Sequence, residues 1–224
     1  MNQFLFGVYP YIAAAVFLIG SLIRFERDQY TWKSDSSQLL RRGQLRWGSN
    51  LFHLGILGIF FGHLFGLLTP LSVWHAVGMT LAQKQMIAMV AGGIAGLACA
   101  SGLVLLIHRR LSIARVRATS RSMDFVIVFL LLAQVLLGLY SITFSVRHLD
   151  GAEMLKFVNW AQAIFTLQPD AWRHIADVAW VFKTHIVLGL TVFLVFPFSR
   201  LVHIWSGFAA VGYLGRAYQI VRSR

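Results

Sequence analysis

Cysteine is almost absent from this chain: Cys99 is the only one in 224 residues. No disulfide can therefore form within the chain, and no cluster of thiols exists to hold zinc or an iron–sulfur centre. The Cys-x-x-Cys-His motif is also missing, so a haem would not be attached covalently through it. Because Cys99 lies inside an apolar run, we expect it to serve packing.

Charge is scarce as well, with 12% charged residues against 58% hydrophobic ones. A soluble domain of this length needs far more charge to cover its surface, so the composition predicts an integral membrane protein with an all-α fold. We expect a single domain over residues 1–224. The N-terminus lacks the basic segment and the small-residue cleavage site of a signal peptide, so the first helix should remain in the mature protein.

The formal net charge of +12 raises the question of nucleic acid. No basic stripe lies on a polar, folded background, however, and the positive charges flank apolar segments. That placement is typical of residues that orient membrane helices and meet anionic lipid headgroups. The pattern indicates membrane lipid as a partner and argues against nucleic acid.

Five apolar segments are long enough to span a membrane. They lie near Phe4–Ile23, Gly48–Leu68, Gln85–Ile107, Phe125–Ser145 and Val178–Trp205. Pro197 interrupts the fifth segment, and a neighbouring helix can satisfy the carbonyl that proline leaves unpaired, so we interpret it as a kink within one continuous helix. Residues 146–177 carry a mixed helical pattern that predicts one amphipathic helix on the membrane surface.

The distribution of lysine and arginine orients the bundle. Fifteen of these residues fall in segments 24–46, 109–121 and 200–224, and five fall on the opposite side. By the positive-inside rule the richer side is cytoplasmic, which places the N-terminus outside and the C-terminus in the cytoplasm. The short basic tail 216–222 is either a solvated end or a docking strip for a cytoplasmic partner.

Four histidines lie within the apolar segments, two on the second and two on the fifth. The predicted topology puts His53 and His203 near the cytoplasmic side, and His63 and His185 near the outer side. An ionisable side chain at this depth indicates function, and two facing imidazoles are what a haem iron needs for six-coordination. We therefore predict two b-type haems, with hydrogen bonding inside the bundle as the alternative.

The spacings within the two segments do not match on ideal helices. His53 and His63 are separated by about 15 Å of rise and a rotation of roughly 80°. His185 and His203 are separated by about 27 Å and a whole number of turns. No carboxylate lies in a predicted span to complete another kind of metal site, which favours haem iron over other metals.

Glycines recur at three- and four-residue spacing along one face of the second segment, at Gly55, Gly58, Gly62 and Gly66. Small residues at that spacing usually let two membrane helices approach closely. Room for a flat macrocycle is the alternative. The remaining histidines are expected at the surface; they are His75, His108, His148 and His174.

Three sequence runs carry a resemblance to a known family: 49–63 (SNLFHLGILGIFFGH), 115–119 (RVRAT) and 196–206 (FPFSRLVHIWS). With Lys84, Met154 and residues 160–162, they closely resemble the gamma subunit of the membrane-bound respiratory nitrate reductase, over essentially the whole chain. The resemblance implies a dihaem cytochrome b of the bacterial cytoplasmic (inner) membrane that oxidises quinol. It also implies an iron–sulfur beta subunit that receives the electrons and a molybdenum-containing alpha subunit that reduces nitrate.

The resemblance further implies a quinol site beside the outer haem, formed by His63, Lys84, Gly62 and Gly66. The chemistry of Lys84 agrees with this role, because an isolated cation at the outer end of a helix can donate to a quinol oxygen. Snorkelling of the lysine to the membrane interface is the alternative.

Arginines near the cytoplasmic side are candidates for binding haem propionates, since the guanidinium fork suits a carboxylate. The candidates are Arg109, Arg110 and Arg200. Positive-inside anchoring alone is the alternative for each of them.

Two other functions fit parts of the pattern. One is a related dihaem subunit that oxidises quinol for a sulfite or heterodisulfide-type reductase. The other, from a different class, is a transporter whose intramembrane histidines relay protons. We expect the first-named function, in which quinol releases its protons outside while its electrons pass inward to the cytoplasmic partner.

Overall fold

The computed structural model of the chain describes residues 1–27 and 42–205. Those residues form helices and turns, without a β-strand. The α-helices are α1 (Tyr9–Arg27), α2 (Arg42–Leu68), α3 (Leu71–Ala76), α4 (Leu81–Ser112), α5 (Ala114–Ala118), α6 (Ser122–Ser145), α7 (Ala152–Phe165) and α8 (Trp180–Val195). A π-helical turn, Phe4–Val8, precedes α1, and 3-10 turns lie at Ala171–Ile175, Phe196–Phe198 and Arg200–Val202. The basic tail 216–222 and part of the first basic segment lie outside the described residues.

Five helices in the described part of the chain are long and apolar enough to cross a membrane, which confirms the predicted all-α membrane fold. They are Phe4–Arg27, Gly43–Leu68, Leu81–Ser112, Ser122–Ser145 and Trp180–Phe198. Their outward faces are apolar: Leu54 is 72% exposed and Ile94 is 68% exposed. Apolar surface of this extent is typical of helices that contact lipid or a partner protein, because its exposure to water is unfavourable.

Close helix contact in the bundle depends on glycine. A Cβ at Gly55 of α2 would collide with the backbone of Cys99 on α4, and one at Gly102 of α4 would collide with the backbone of Phe52. Cys99 itself is fully buried in this contact, as predicted. The backbones of α2 and α4 therefore meet almost directly, which fixes α2 against its neighbour.

The remaining spans follow in order, with α4 packed on α6, α6 on α8, and α8 on α1. We call the end of the bundle that carries Arg24, Arg110 and Arg200 the arginine-rich end. The opposite end is closed by α7, and we call it the capped end.

The capped end is held together by α7 and the turn that follows it, which confirms a helix within 146–177. The indole Nε1 of Trp160 donates to the carbonyl of Phe6 at 2.9 Å. Gln162 Nε2 donates to the carbonyls of Leu67 and Thr69, at 3.3 and 3.4 Å. These bonds connect α7 to the ends of α1 and α2, so it is an integral part of the bundle and not a loose surface helix.

An ion pair on the surface of the capped end joins α7 to the start of the last span. Lys156 Nζ lies 2.7 Å from Asp177 Oδ2 and 3.2 Å from Glu153 Oε1. The hydrogen bond between Lys156 and Asp177 raises the pKa of the lysine and lowers the pKa of the aspartate. The pair is solvent-accessible, so its contribution to stability is small.

The fifth span differs from the prediction of one kinked helix over Val178–Trp205. Helix α8 ends at Val195, and Pro197 lies in a 3-10 turn. Ser199 then takes an extended conformation, with φ −112° and ψ 177°, before a second 3-10 turn begins. The helix breaks here because Pro197 offers no amide hydrogen and Ser199 forms local bonds of its own: its hydroxyl donates to the carbonyl of Phe196 and accepts from the amide of Leu201.

Candidate functional site

The four histidines of the predicted apolar segments meet in two pairs across the space between α2 and the last span. The ring centres of His53 and His203 are 6.4 Å apart, and those of His63 and His185 are 6.2 Å apart. These are the same pairs that depth and topology predicted. The first pair lies at the arginine-rich end and the second toward the capped end.

The ring separations match two ligands on opposite sides of one metal ion. A bond from an imidazole nitrogen to a metal is about 2.0–2.1 Å, and the ring centre lies about 1.1 Å behind the nitrogen, so two opposed ligands put their ring centres about 6.3 Å apart. Packed aromatic rings without a metal cover a broad range of 4.5–7 Å. Both pairs have the separation expected of two opposed ligands, and ligation itself stays a prediction.

Three of the four rings are anchored through Nδ1 to a backbone carbonyl. His53 donates to Ser49 at 2.7 Å, and His63 donates to Ile59 at 2.8 Å. His203 donates to Arg200 at 2.6 Å. Because a carbonyl only accepts, each of these Nδ1 atoms carries the hydrogen, and Nε2 is left with the lone pair that binds a metal.

His185 is supported differently. Its Nδ1 is buried and has no hydrogen-bond partner among the described residues. Its Nε2 lies 3.5 Å from the side-chain nitrogen of Gln134 on α6, and its Cε1 would lie 2.9 Å from a Cβ placed on Gly138. A buried ring nitrogen without a partner is costly, so the site is suited to a group that the polypeptide does not supply.

The unequal spacing of the histidines is reconciled by the break after α8. His53 and His63 lie on one continuous helix, whereas His185 and His203 are separated by the turns around Pro197 and Ser199. The break changes both the rise and the rotation that an ideal helix would impose. The two pairs reach similar ring separations, 6.4 and 6.2 Å.

The space between the paired helices is open to a bound group. The close backbone neighbours of α2 are α4 and α7, and those of α8 are α1 and α6. His53 and His63 are exposed on this side of α2. No group of three or more potential ligands among His, Cys, Asp and Glu occurs in the described residues. Each pair offers two imidazoles, so a six-coordinate metal bound here would need four further ligands from a macrocycle, and the residues fit the predicted haem.

Lys84 lies in the first turn of α4, at the capped end. The side chain of Thr80 caps this helix, accepting from the amide of Gln83 at 3.2 Å. Lys84 is only 4% exposed, and its Nζ has no hydrogen-bond partner within the described part of the chain. The ammonium lies 5.4 Å from the centre of the Trp74 ring. A buried amine without an acceptor is not explained by snorkelling, which keeps the charge in water.

The glycines of α2 divide into two groups. A Cβ at Gly58 would lie 3.2 Å from Ala95, and Gly55 contacts the same helix, so close packing is confirmed for these two. A Cβ at Gly62 or Gly66 would meet no atom of the described residues within 4 Å. Close packing is therefore wrong for the pair near His63, and space for another molecule explains them better.

Two of the three candidate arginines, Arg110 and Arg200, share a partner that the sequence did not reveal. Asp124, in the first turn of α6, is 6% exposed. Its carboxylate accepts from Arg200 Nε at 2.7 Å and lies 3.1 Å from Arg110 Nη1. Arg109 is also buried, at 4% exposure. Asp124 was overlooked because the fourth apolar segment was predicted to begin one residue later, at Phe125.

Four further residues near the pairs had little or no sequence signal. Gln134 and Gly138 on α6 support His185, Trp74 on α3 lies beside Lys84, and Arg24 on α1 contacts the break after α8. Gln134 was the one detectable case, as a polar residue inside the most apolar span. The other histidines are exposed, as predicted; they are His75, His108, His148 and His174.

This fold and site define a helical membrane protein with two pairs of facing histidines, one toward each end of the bundle. Comparison with known proteins gives the family. The profile of the nitrate reductase gamma subunit matches residues 2–224. The chain belongs to this family.

Individual relatives agree over their full lengths. The chain is 53% identical to the respiratory nitrate reductase 1 gamma chain of Escherichia coli (strain K12), over 100% of this chain and 98% of that protein. It is 52% identical to the respiratory nitrate reductase 2 gamma chain of the same organism, with the same coverage. The nitrate reductase gamma chain of Bacillus subtilis (strain 168) is 38% identical, over 100% of this chain and 99% of that protein.

The matches confirm the predicted resemblance and decide against the two alternative functions. The name gamma chain marks each relative as one chain of an enzyme with several subunits. The chain described here is accordingly a membrane subunit of a nitrate reductase.

Proposed function

We propose that the chain binds two b haems, takes electrons from quinol and delivers them to a partner chain of the nitrate reductase. The observation that carries the proposal is the pair of ring separations, 6.4 and 6.2 Å, in an apolar bundle. His53 and His203 hold one haem, and His63 and His185 hold the other. When bound, haem iron supplies one-electron transfer, which the side chains of this polypeptide do not offer.

The distribution of basic residues supports an orientation. We place the arginine-rich end in the cytoplasm and the capped end outside, since lysine and arginine concentrate on the cytoplasmic side of membrane proteins. The histidine pair 53/203 is then the inner one and the pair 63/185 the outer one. The N-terminus lies outside and the C-terminus inside.

The quinol site is placed beside the outer pair. Lys84 Nζ is buried without an acceptor, and a quinol oxygen supplies one. As that oxygen loses its proton, the ammonium stabilises the negative charge that develops. The open backbone at Gly62 and Gly66 leaves room for a flat ring on the same helix as His63.

The buried charge at the arginine-rich end supports propionate binding there. Arg109, Arg110 and Arg200 bring three formal positive charges, and Asp124 brings one negative charge, so the cluster favours a further anion. Anchoring by the positive-inside rule alone does not require buried arginines, because anchoring arginines usually lie in water or among headgroups.

The electron acceptor is proposed to be an iron–sulfur beta subunit at the cytoplasmic face, which serves a molybdenum-containing alpha subunit. The family match supports this arrangement, since a gamma chain works as one part of a larger enzyme. The chain has one cysteine and so cannot hold an iron–sulfur cluster by itself. Nitrate reduction is accordingly assigned to the partner chains.

Haem content and spectra of the purified complex test the proposal. We expect two b haems in this subunit by the pyridine haemochrome assay and two components in an optical redox titration. His53→Ala and His203→Ala should remove one component, and His63→Ala and His185→Ala the other. A colourless subunit, or variants that remove components in any other grouping, would contradict it.

A further inference from the structure

The chain between α8 and His203 is irregular, and an arginine from another helix holds it. Arg24 of α1 donates through Nη1 to the carbonyl of Pro197 at 2.6 Å and to that of Ser199 at 2.9 Å. A Cβ at Gly20, one turn earlier on α1, would lie 2.9 Å from Pro197 Cγ. The break is therefore pressed against α1 and its exposed carbonyls are satisfied there.

A buried carboxylate holds the same segment from the opposite side. Asp124 of α6 accepts from Arg200 Nε at 2.7 Å and lies 2.7 Å from Arg200 Nη2, which is the forked geometry of a strong pair. The backbone amide of Arg121 donates to Oδ2 of the same carboxylate at 3.0 Å. Asp124 is thus fixed at the start of α6, and Arg200 is fixed to Asp124.

The segment between these two contacts carries the anchor of His203. The carbonyl of Arg200 accepts from His203 Nδ1 at 2.6 Å. The position of that carbonyl depends on where Arg200 and Ser199 lie, since neither belongs to a regular α-helix. We infer that Arg24 and Asp124 act together as positioning residues that set the orientation of the His203 ring toward His53.

The histidines on α2 do not depend on contacts from other helices of this kind. The anchors of His53 and His63 are carbonyls four residues upstream on the same uninterrupted helix. Helical geometry alone fixes those anchors. Loss of Arg24 or Asp124 should therefore disturb the 53/203 pair and leave the 63/185 pair unchanged, a selectivity that a general stabilising role would not produce.

The inference rests on the proposed haem ligation, and the complete complex is used to test it. Arg24→Met removes the two donated bonds at similar side-chain length, and Arg24→Lys restores a donor. Asp124→Asn keeps the shape of the carboxylate without its charge. Arg115→Gln, an exposed arginine of α5 at the same end, is the matched control. Haem content, the low-spin electron paramagnetic resonance signals and the two midpoint potentials are measured, with components assigned from His53→Ala and His63→Ala.

We expect Arg24→Met and Asp124→Asn to change the signal and potential of the 53/203 haem and to lower its content at least twofold. The 63/185 haem should keep its signal, Arg24→Lys should recover most of the loss, and Arg115→Gln should match the wild type. Equal loss of both haems, an unchanged 53/203 signal in Arg24→Met, or no recovery in Arg24→Lys overturns the inference while haem binding by the wild type stands. A colourless wild type overturns the proposed function itself.

Discussion

The two histidine pairs reach nearly the same ring separation with different supports. At the arginine-rich end both rings are anchored to carbonyls, but one carbonyl lies on a broken stretch of chain that Arg24 and Asp124 hold. Toward the capped end His63 is anchored and His185 rests on Gln134 and Gly138. Polar contacts across the bundle hold one pair, and close packing holds much of the other. Variants that remove one support at a time should therefore affect one histidine pair and leave the other unchanged.

The largest effect should come from removing a ring. His63→Ala should abolish the haem bound with His185 and also quinol oxidation, while the 53/203 haem persists, because the pairs share no ligand. Redox-titrated spectra and quinol-dependent nitrate reduction by the complex measure both. The pairing would be wrong if the 63/185 component survived. His75→Ala, an exposed histidine at the capped end, is the control and should leave both haems intact.

The next largest effect should come from removing the buried ammonium of Lys84. Lys84→Met should lower kcat/KM for quinol about 10- to 100-fold, the cost of a lost hydrogen bond to a charged group, with haem content unchanged. Lys156→Met removes an ammonium at the same end that already has two carboxylate partners, and its activity should stay near that of the wild type. Equal activity of the two variants would show that Lys84 is not part of the quinol site.

A smaller effect should follow from crowding His185. In Gly138→Ala the new methyl group would lie 2.9 Å from the ring, and overpacking of this kind costs about 1 kcal/mol or more. We expect affinity for the 63/185 haem to fall roughly fivefold by haem titration, without a change at the other pair. Gly92→Ala is the matched control, since a Cβ at Gly92 meets nothing within 4 Å. A matching loss in both variants would show that helix flexibility, and not the ring contact, is responsible.

The smallest effect should come from the surface of the capped end. Asp177→Asn should lower the melting temperature of the complex by only ~1–3 °C, because exposed ion pairs stabilise weakly. The lowered pKa of Asp177 means that its contribution is present above the ordinary carboxyl pKa and lost as pH falls through the lowered one. The raised pKa of Lys156 means that the contribution of the lysine is lost only as pH rises through that value. Thermal unfolding followed across pH tests this, and a large change in either haem spectrum would contradict it.

Sequence alone predicted the features that depend on composition and depth. Five apolar stretches gave the five spans, and the sorting of the histidines by depth gave the two pairs that the structure brings together. These features can be predicted from the sequence because the bilayer constrains the length and the polarity of each span independently of the others.

Features that depend on distant contacts were missed. Pro197 was interpreted as a kink, yet α8 ends at Val195. The carbonyl of Pro197 in the break is bonded by Arg24, 173 residues earlier in the sequence, and no local pattern reveals that contact. Gly55, Gly58, Gly62 and Gly66 looked equivalent in sequence, yet of these four Gly55 and Gly58 contact α4 closely and the other two do not. Asp124 was passed over since nothing near it in sequence reveals Arg200 as its partner.

The rigid seat of α2 on α4 has a consequence for assembly. His53 and His63 lie on one continuous helix, α2. The polypeptide therefore sets the axial distance between these two histidines, about 15 Å, without any bound group. The last span is not one continuous helix, and its two histidines reach the same interval through the break that Arg24 and Asp124 hold. Helix α2 thus sets the spacing between the two histidine pairs, and the last span conforms to that spacing.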